Sequence, residues 1–201
     1  MLKELAGSVA VVTGGSGGIG RAIIARLGGA GAKACCLDLV RPSDGSWWVE
    51  TNVSDERSLA SALDDVNTRE GRLDILVHAA GISFDAVVWK TPAAEWDRVQ
   101  AVNLRGAFLM LSHGIPLLRR AGGGRAVLIG SINGSRGKFG TSAYSASKAG
   151  LVGLARTVAR EAGRFGVTVN VIEPGWVRTP LTEKIAREFT EAAIGETLAG
   201  R

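Results

Sequence analysis

The feature that most constrains this chain is a glycine-dense turn set between two kinds of periodicity. Val9-Ala10-Val11-Val12 is a short β-branched run, the pattern of a strand buried on both faces. It leads directly into Thr13-Gly14-Gly15-Ser16-Gly17-Gly18-Ile19-Gly20, after which Ile23, Ile24 and Leu27 recur at helical spacing. Glycines between a strand and a helix let the backbone turn sharply and approach a pyrophosphate without interference from Cβ atoms. The helix opening near Gly18 points its free N–H groups and its dipole at the same anion. A glycine turn with no ligand is the bland alternative, and the second strand argues against it. Asp38 lies near the end of the apolar run 34–39, eighteen residues beyond Gly20. A carboxylate there accepts hydrogen bonds from both hydroxyls of an adenosine ribose and repels a 2′-phosphate. NAD is therefore favoured over NADP, although Arg41, three residues on, could neutralise that carboxylate or meet a phosphate.

Further strands are predicted over 47–49, 73–77, 125–129 and 167–172, and helices over 58–66, within 95–118 and over 142–164. The helix at 58–66 carries Leu59, Leu63 and Val66 on one stripe, with Ser54 or Asp55 as its cap. Strands alternating with helices imply an α/β, doubly wound, parallel sheet covered on both faces. Right-handed crossovers then place the strand C-termini, and the binding crevice, on one edge. At 201 residues and 46% hydrophobic, with no repeat and no linker, the chain suits one domain over 1–201.

Several function classes are set aside. No apolar run approaches the roughly 20 residues of a membrane span. Residues 1–7 carry Lys3 and Glu4 and no apolar signal core. Cys35 and Cys36, adjacent in an apolar run, read as reduced, buried thiols. A cytoplasmic protein with no membrane partner is expected. The net charge of +5 invites nucleic acid, but the basic residues are scattered and only Arg119-Arg120 form a doublet. No nucleic-acid partner is expected.

Tyr144 and Lys148 stand four apart on a predicted helix and share a face. A phenol with a pKa near ~10 is a poor base at neutral pH, and a nearby ammonium is expected to lower that value. The tyrosine can then exchange a proton with an alcohol or carbonyl oxygen. Ser131 follows the strand 125–129 at the crevice edge, where its hydroxyl can hold the same oxygen. His78 and His113 are not spaced as metal ligands with any nearby Cys or carboxylate. They read as packing residues, and no metal is expected.

Together these pieces resemble the short-chain dehydrogenase/reductase family. Its Thr-Gly-x-x-x-Gly-x-Gly stands here as Thr13 to Gly20, and its Tyr-x-x-x-Lys as Tyr144-Ser145-Ala146-Ser147-Lys148. The family's serine, thirteen residues upstream, is Ser131, and its asparagine in the central helix is Asn103. Its Pro-Gly after the sixth strand is Pro174-Gly175. The resemblance implies a mostly parallel Rossmann sheet of six strands and a catalytic set of Asn103, Ser131, Tyr144 and Lys148. In that set Tyr144 is the general acid/base, and Lys148 lowers its pKa and binds the nicotinamide ribose. Ser131 orients the carbonyl, and Asn103 holds a relay water. It further implies cofactor contacts from Gly14, Ser16, Gly18, Ile19, Gly20, Asp38, Leu39, Asn52, Val53, Ala79, Ala80 and Gly81. Tyr144, Lys148, Pro174, Gly175, Val177 and Thr179 complete them, with Thr179 at the carboxamide.

The chain departs from the family pattern in four places. Asn-Asn-Ala-Gly is His78-Ala79-Ala80-Gly81 here, which leaves the backbone of residue 79 to meet the cofactor and lets His78 bond a neighbouring strand. Asp-Val is Asn52-Val53, whose asparagine oxygen is expected to accept from the adenine amino group. The connection from Asp38 to Asn52 lacks the usual helix. Residues 176–201 read as the substrate-covering region, and the sequence ends at Arg201 before the family's last helix and seventh strand. A shortened form is therefore expected, with residues 167–172 as an exposed sheet edge and impaired stability and assembly. Homo-oligomers are expected of a full-length member.

The expected activity is hydride transfer between NAD(H) and a secondary alcohol or ketone. The loop Phe84 to Lys90 is similar to the 3-oxoacyl-thioester reductase branch. Gly17, where NADP-using reductases of that branch often carry arginine, leaves small hydroxy acids, polyols and cyclic alcohols open. The alternative is a nucleotide-binding protein with little or no turnover.

Overall fold

The computed structural model describes residues 4–179 together with Gly195. Six strands form one wholly parallel sheet in the order β3-β2-β1-β4-β5-β6. They are β1 (Val9–Thr13), β2 (Lys33–Asp38), β3 (Trp48–Glu50), β4 (Ile75–His78), β5 (Gly124–Ile129) and β6 (Val167–Ile172). Over residues 4–179 six α-helices accompany them: α1 (Gly18–Gly29), α2 (Glu56–Glu70), α3 (Ala93–Gln100), α4 (Gly106–Arg120), α5 (Ile132–Arg136) and α6 (Ser142–Ala162). Among the described residues β6 pairs only with β5 and closes one side of the sheet.

The two faces of the sheet follow from the period of two along each strand. Val9, Val11, Cys35 and Leu76 join one core with Leu59, Leu63, Met110 and Leu151 of α2, α4 and α6. Ala10, Val12, Cys36, Ile75 and Val77 point the other way, onto Ile24 of α1. Both cysteines are buried free thiols, as read from the sequence. Burial pushes Cys35 up to about 12 and raises Cys36 as well.

Local signals explain the ends of α2. Asp55 accepts the Ser58 N–H at 2.7 Å as its N-cap, and Gly71 turns out of the helix at φ +72°. No helix lies between β2 and β3, as expected. The predicted helix within 95–118 is not continuous. A π-helical turn at Ala101–Arg105 separates α3 from α4. Within Ala93–Arg120 one 18-residue window reaches a mean hydropathy of 1.2, which by length and composition alone would suffice for a membrane span. Half of that window is buried inside the protein, where Leu109, Met110 and Leu111 line the core.

Candidate active site

The parallel register puts every strand C-terminus on one edge: Thr13 pairs with Leu37 and with His78, His78 with Leu128, and Ile129 with Ile172. The strand order reverses its direction across the sheet between β1 and β4, the switch point where open sheets of this kind bind ligands in a crevice. The loops that carry the predicted site residues all leave this edge. Residues 180–201 of the expected substrate-covering region lie outside the described residues, apart from Gly195.

The turn after β1 requires glycine at two positions, Gly14 and Gly20. Gly14 has φ +66°, and a Cβ there would stand 2.6 Å from the Ala80 backbone. At Gly20 a Cβ would collide with the Gly14 carbonyl. No side chain caps α1, so Gly18, Ile19 and Gly20 open the helix with their first-turn amides uncapped. This cradle fits a pyrophosphate. Ser16 ties it to the next strand, because its N–H donates to Asp38 Oδ2 at 3.0 Å and its hydroxyl donates to the Val40 carbonyl. The Val40 N–H fixes the other carboxylate oxygen at 3.0 Å. Arg41, the residue that could have neutralised Asp38, has its guanidinium 5.7 Å from the Trp48 ring centroid. Leu39 is mainly exposed.

At the adenine end Val53 is buried, and Asn52 is locally engaged. Its side-chain oxygen accepts from Ser54 N at 3.1 Å and Ser54 Oγ at 2.7 Å. The acceptor expected to meet adenine is thus already holding a turn. Across β4, Ala79 N–H donates to the Thr13 carbonyl at 3.1 Å, which locks the 79–81 backbone beside the glycine loop. On the far side Ile132 N–H donates to the Pro174 carbonyl, so Pro174 and Gly175 border Ser131. Val177 and Thr179 follow on the same segment and are half-buried or partly exposed.

The four predicted catalytic residues converge. Ser131 caps α5 and is buried, and its hydroxyl faces the Tyr144 phenol. Lys148 is 4% exposed and donates to the Ile129 carbonyl at 2.7 Å, with its Nζ 5.6 Å from the Tyr144 ring centroid. A Cβ built on Gly81 would lie 3.3 Å from Lys148 Nζ and 3.5 Å from Asn103 Oδ1, so the glycine is where the two sides of the crevice meet. Asn103 is fully buried and saturated. Its oxygen accepts Ile82 N–H at 2.9 Å, and its amide donates to Ile82 O at 3.0 Å and Ser147 Oγ at 2.9 Å.

The electrostatics differ from expectation in one respect. The Tyr144 pKa is raised, chiefly by burial and further by the Asp85 charge, while the Ser131 hydrogen bond works against both. The depression expected from Lys148 does not offset that rise. Burial also pulls Lys148 from 10.5 down to about 8.

Two features escaped the sequence. Ser147, an unspecified position inside Tyr-x-x-x-Lys, donates to the Tyr144 carbonyl at 2.7 Å while accepting from Asn103, which couples α6 to the π-helical turn. Gln100, at the end of α3, holds α6 as well, donating to the Ala143 carbonyl at 2.9 Å. Among the described residues, no three His, Cys, Asp or Glu gather as metal ligands.

Fold and site together define a dinucleotide-binding α/β protein of the oxidoreductase class. The family profile for short chain dehydrogenases matches residues 8–189, and the chain belongs to that family, whose enzymes work with a nicotinamide cofactor. Its relatives fall in the 3-oxoacyl reductase-like branch. It is 32% identical to the 3-oxoacyl-[acyl-carrier-protein] reductase FabG of Escherichia coli (strain K12), over 97% of this chain and 84% of that protein. It is 35% identical to the acetoacetyl-CoA reductase of Cupriavidus necator, over 92% and 81% respectively. A crystal structure titled gox2181 superposes with a TM-score of 0.94 at 29% identity, covering 99% of this chain and 84% of that one.

Proposed function

We propose that this chain is a reductase that uses NAD(H) to convert a ketone, of the 3-oxoacyl-thioester kind, to a secondary alcohol. One observation carries the reading: the Tyr144 phenol and the Ser131 hydroxyl face each other, with the buried Lys148 ammonium alongside, at the edge where the glycine loop and Asp38 open. When bound, a reduced nicotinamide supplies the hydride to the carbonyl carbon. The chain supplies the rest. Ser131 donates a hydrogen bond to the carbonyl oxygen, and Tyr144 gives that oxygen its proton. Lys148 stabilises the phenolate left behind and binds the nicotinamide ribose. Asn103 spends both side-chain hydrogens internally, so a relay water there would be held by the backbone of its turn.

Gly14, Ser16, Gly18, Ile19 and Gly20 hold the pyrophosphate, and Asp38 and Leu39 border the adenosine ribose. Asn52 and Val53 border adenine, while Ala79 to Gly81, Pro174, Gly175, Val177 and Thr179 border the nicotinamide half. NAD is favoured over NADP because the Asp38 carboxylate is held in place by two N–H groups and Arg41 is turned to Trp48. A single cytoplasmic dinucleotide-binding domain belongs to the same reading, with homo-oligomers expected of a full-length member. The test is NADH and NADPH oxidation with a panel of ketones that includes a 3-oxoacyl thioester, alongside Tyr144→Phe. Turnover lost in the variant supports the reductase. Nucleotide binding without turnover by the parent chain refutes it in favour of a binding protein.

A further inference from the structure

One buried polar side chain at the crevice takes part in none of these steps. His78 ends β4 and is fully buried, with Nδ1 2.9 Å from the Thr13 hydroxyl on β1. The Thr13 oxygen also accepts from the Ala80 N–H at 3.4 Å. A hydroxyl oxygen can accept twice, so this contact suits either tautomer, and the side of the ring that faces the neighbouring turn decides where the hydrogen sits. Nε2 is buried too, and it closes no hydrogen bond of normal geometry with a protein group. The peptide groups of Asn103 and Val102 face the ring and favour a proton on it. Both lie in the π-helical turn, where Gly106 N–H reaches back five residues to the Ala101 carbonyl. Such a turn interrupts the regular i→i−4 ladder and frees a carbonyl. The ring packs closely on this turn: a Cβ on Gly106 would stand 3.3 Å from His78 Cε1. Burial and the Lys148 charge both oppose a second cation here and pull His78 down to about 3.

We propose that His78 is a positioning residue: as the neutral Nε2–H tautomer it links Thr13, at the root of the glycine loop, to the peptide carbonyls of the π-helical turn, and so fixes where Asn103 stands beside Lys148. An asparagine, as in the resembled motif, has a similar donor and acceptor but a shorter reach. The kinetic consequence rests on the reductase reading, whereas the tautomer does not.

The test is long-range ¹H–¹⁵N correlation NMR of the full chain from about pH 5 to about pH 8. Only two histidines occur, so His113→Gln assigns the spectrum. The expected result is a His78 signal that stays neutral in this range with the Nε2–H pattern. A Nδ1–H pattern, or titration near the ordinary histidine value, overturns the proposal whether or not the chain turns over substrate. In kinetics, His78→Leu is expected to lower kcat about tenfold with the nucleotide KM little changed, and His78→Asn to restore part of it. An unchanged kcat per folded His78→Leu molecule overturns the positioning role. If the leucine variant does not fold, the asparagine variant and the spectra still decide it.

Discussion

Replacing Asn103 by alanine tests whether the crevice is held from within. The substitution removes an acceptor for Ile82 N–H and donors to Ile82 O and Ser147 Oγ, at 2.9, 3.0 and 2.9 Å. At about 1 kcal/mol net per bond the loss is about 3 kcal/mol, against a total of roughly 5–15 kcal/mol for an ordinary domain. Alanine's better helix propensity returns about 0.5 kcal/mol at most, less in a π-helical turn. With a urea m-value of about 2 kcal/mol per M, the unfolding midpoint should fall by about 1.2–1.5 M at constant m. The assay is equilibrium urea unfolding followed by tryptophan fluorescence, with Ser147→Ala and the double variant completing a cycle. Asn103 and Ser147 share one bond, so the cycle should show a coupling of about 1 kcal/mol. A midpoint shift below about 0.3 M, or no coupling, would refute the reasoning that these bonds carry the wall.

Four other outcomes are expected. Gly14→Ala forces a side chain into φ +66° and against the Ala80 backbone, so nucleotide binding, read by NADH fluorescence, should be lost and stability should drop by about 2 kcal/mol. Asp38→Ser should lower kcat/KM with NADH and raise the NADPH-to-NADH ratio at least about tenfold; an unmoved ratio would remove Asp38 from cofactor choice. The folded His78 pKa of about 3 lies below its ordinary 6.5, so as pH falls the unfolded chain takes the proton first. Stability should therefore be lost from pH 6.5 down to about 3, and His78→Asn should flatten that slope in denaturation curves. Cys35 and Cys36, buried and raised in pKa, should resist a thiol reagent in the native protein and react together on unfolding.

What could be read from the sequence was whatever the local period or a single residue's backbone requirement decides. The six strands announce themselves as short apolar runs, Asp55 as a cap, and Gly14 as a turn that needs positive φ. The convergence of Asn103, Ser131, Tyr144 and Lys148 was legible through motif spacing. The π-helical turn was not, because Ala101 to Arg105 has the composition of ordinary helix, and its partners Ile82 and Ser147 are distant in sequence. Helix α5 was missed for the opposite reason: Ile132-Asn133-Gly134-Ser135-Arg136 is poor in helix formers, and α5 owes its start to the Ser131 cap, whose hydroxyl accepts Asn133 N–H at 3.2 Å. The Asn52 oxygen looked available for adenine because nothing in the sequence says that Ser54 folds back onto it.

The sign of the Tyr144 shift has a further bearing on the chemistry. Ketone reduction asks the phenol to arrive protonated and give its proton to oxygen, whereas alcohol oxidation asks for a phenolate able to take one. Burial disfavours the phenolate here, the Ser131 hydrogen bond works against that, and the Asp85 charge adds a smaller push in the same sense as burial. Tyr144 therefore rests as the protonated phenol, the form that ketone reduction would draw on, and alcohol oxidation would run the same proton path backwards. Lys148, with its Nζ 5.6 Å from the ring centroid and its hydrogen bond spent on the Ile129 carbonyl, is a cation held in a dry site. Such a cation is most useful where negative charge appears during the reaction, and that holds for a phenolate formed in either direction.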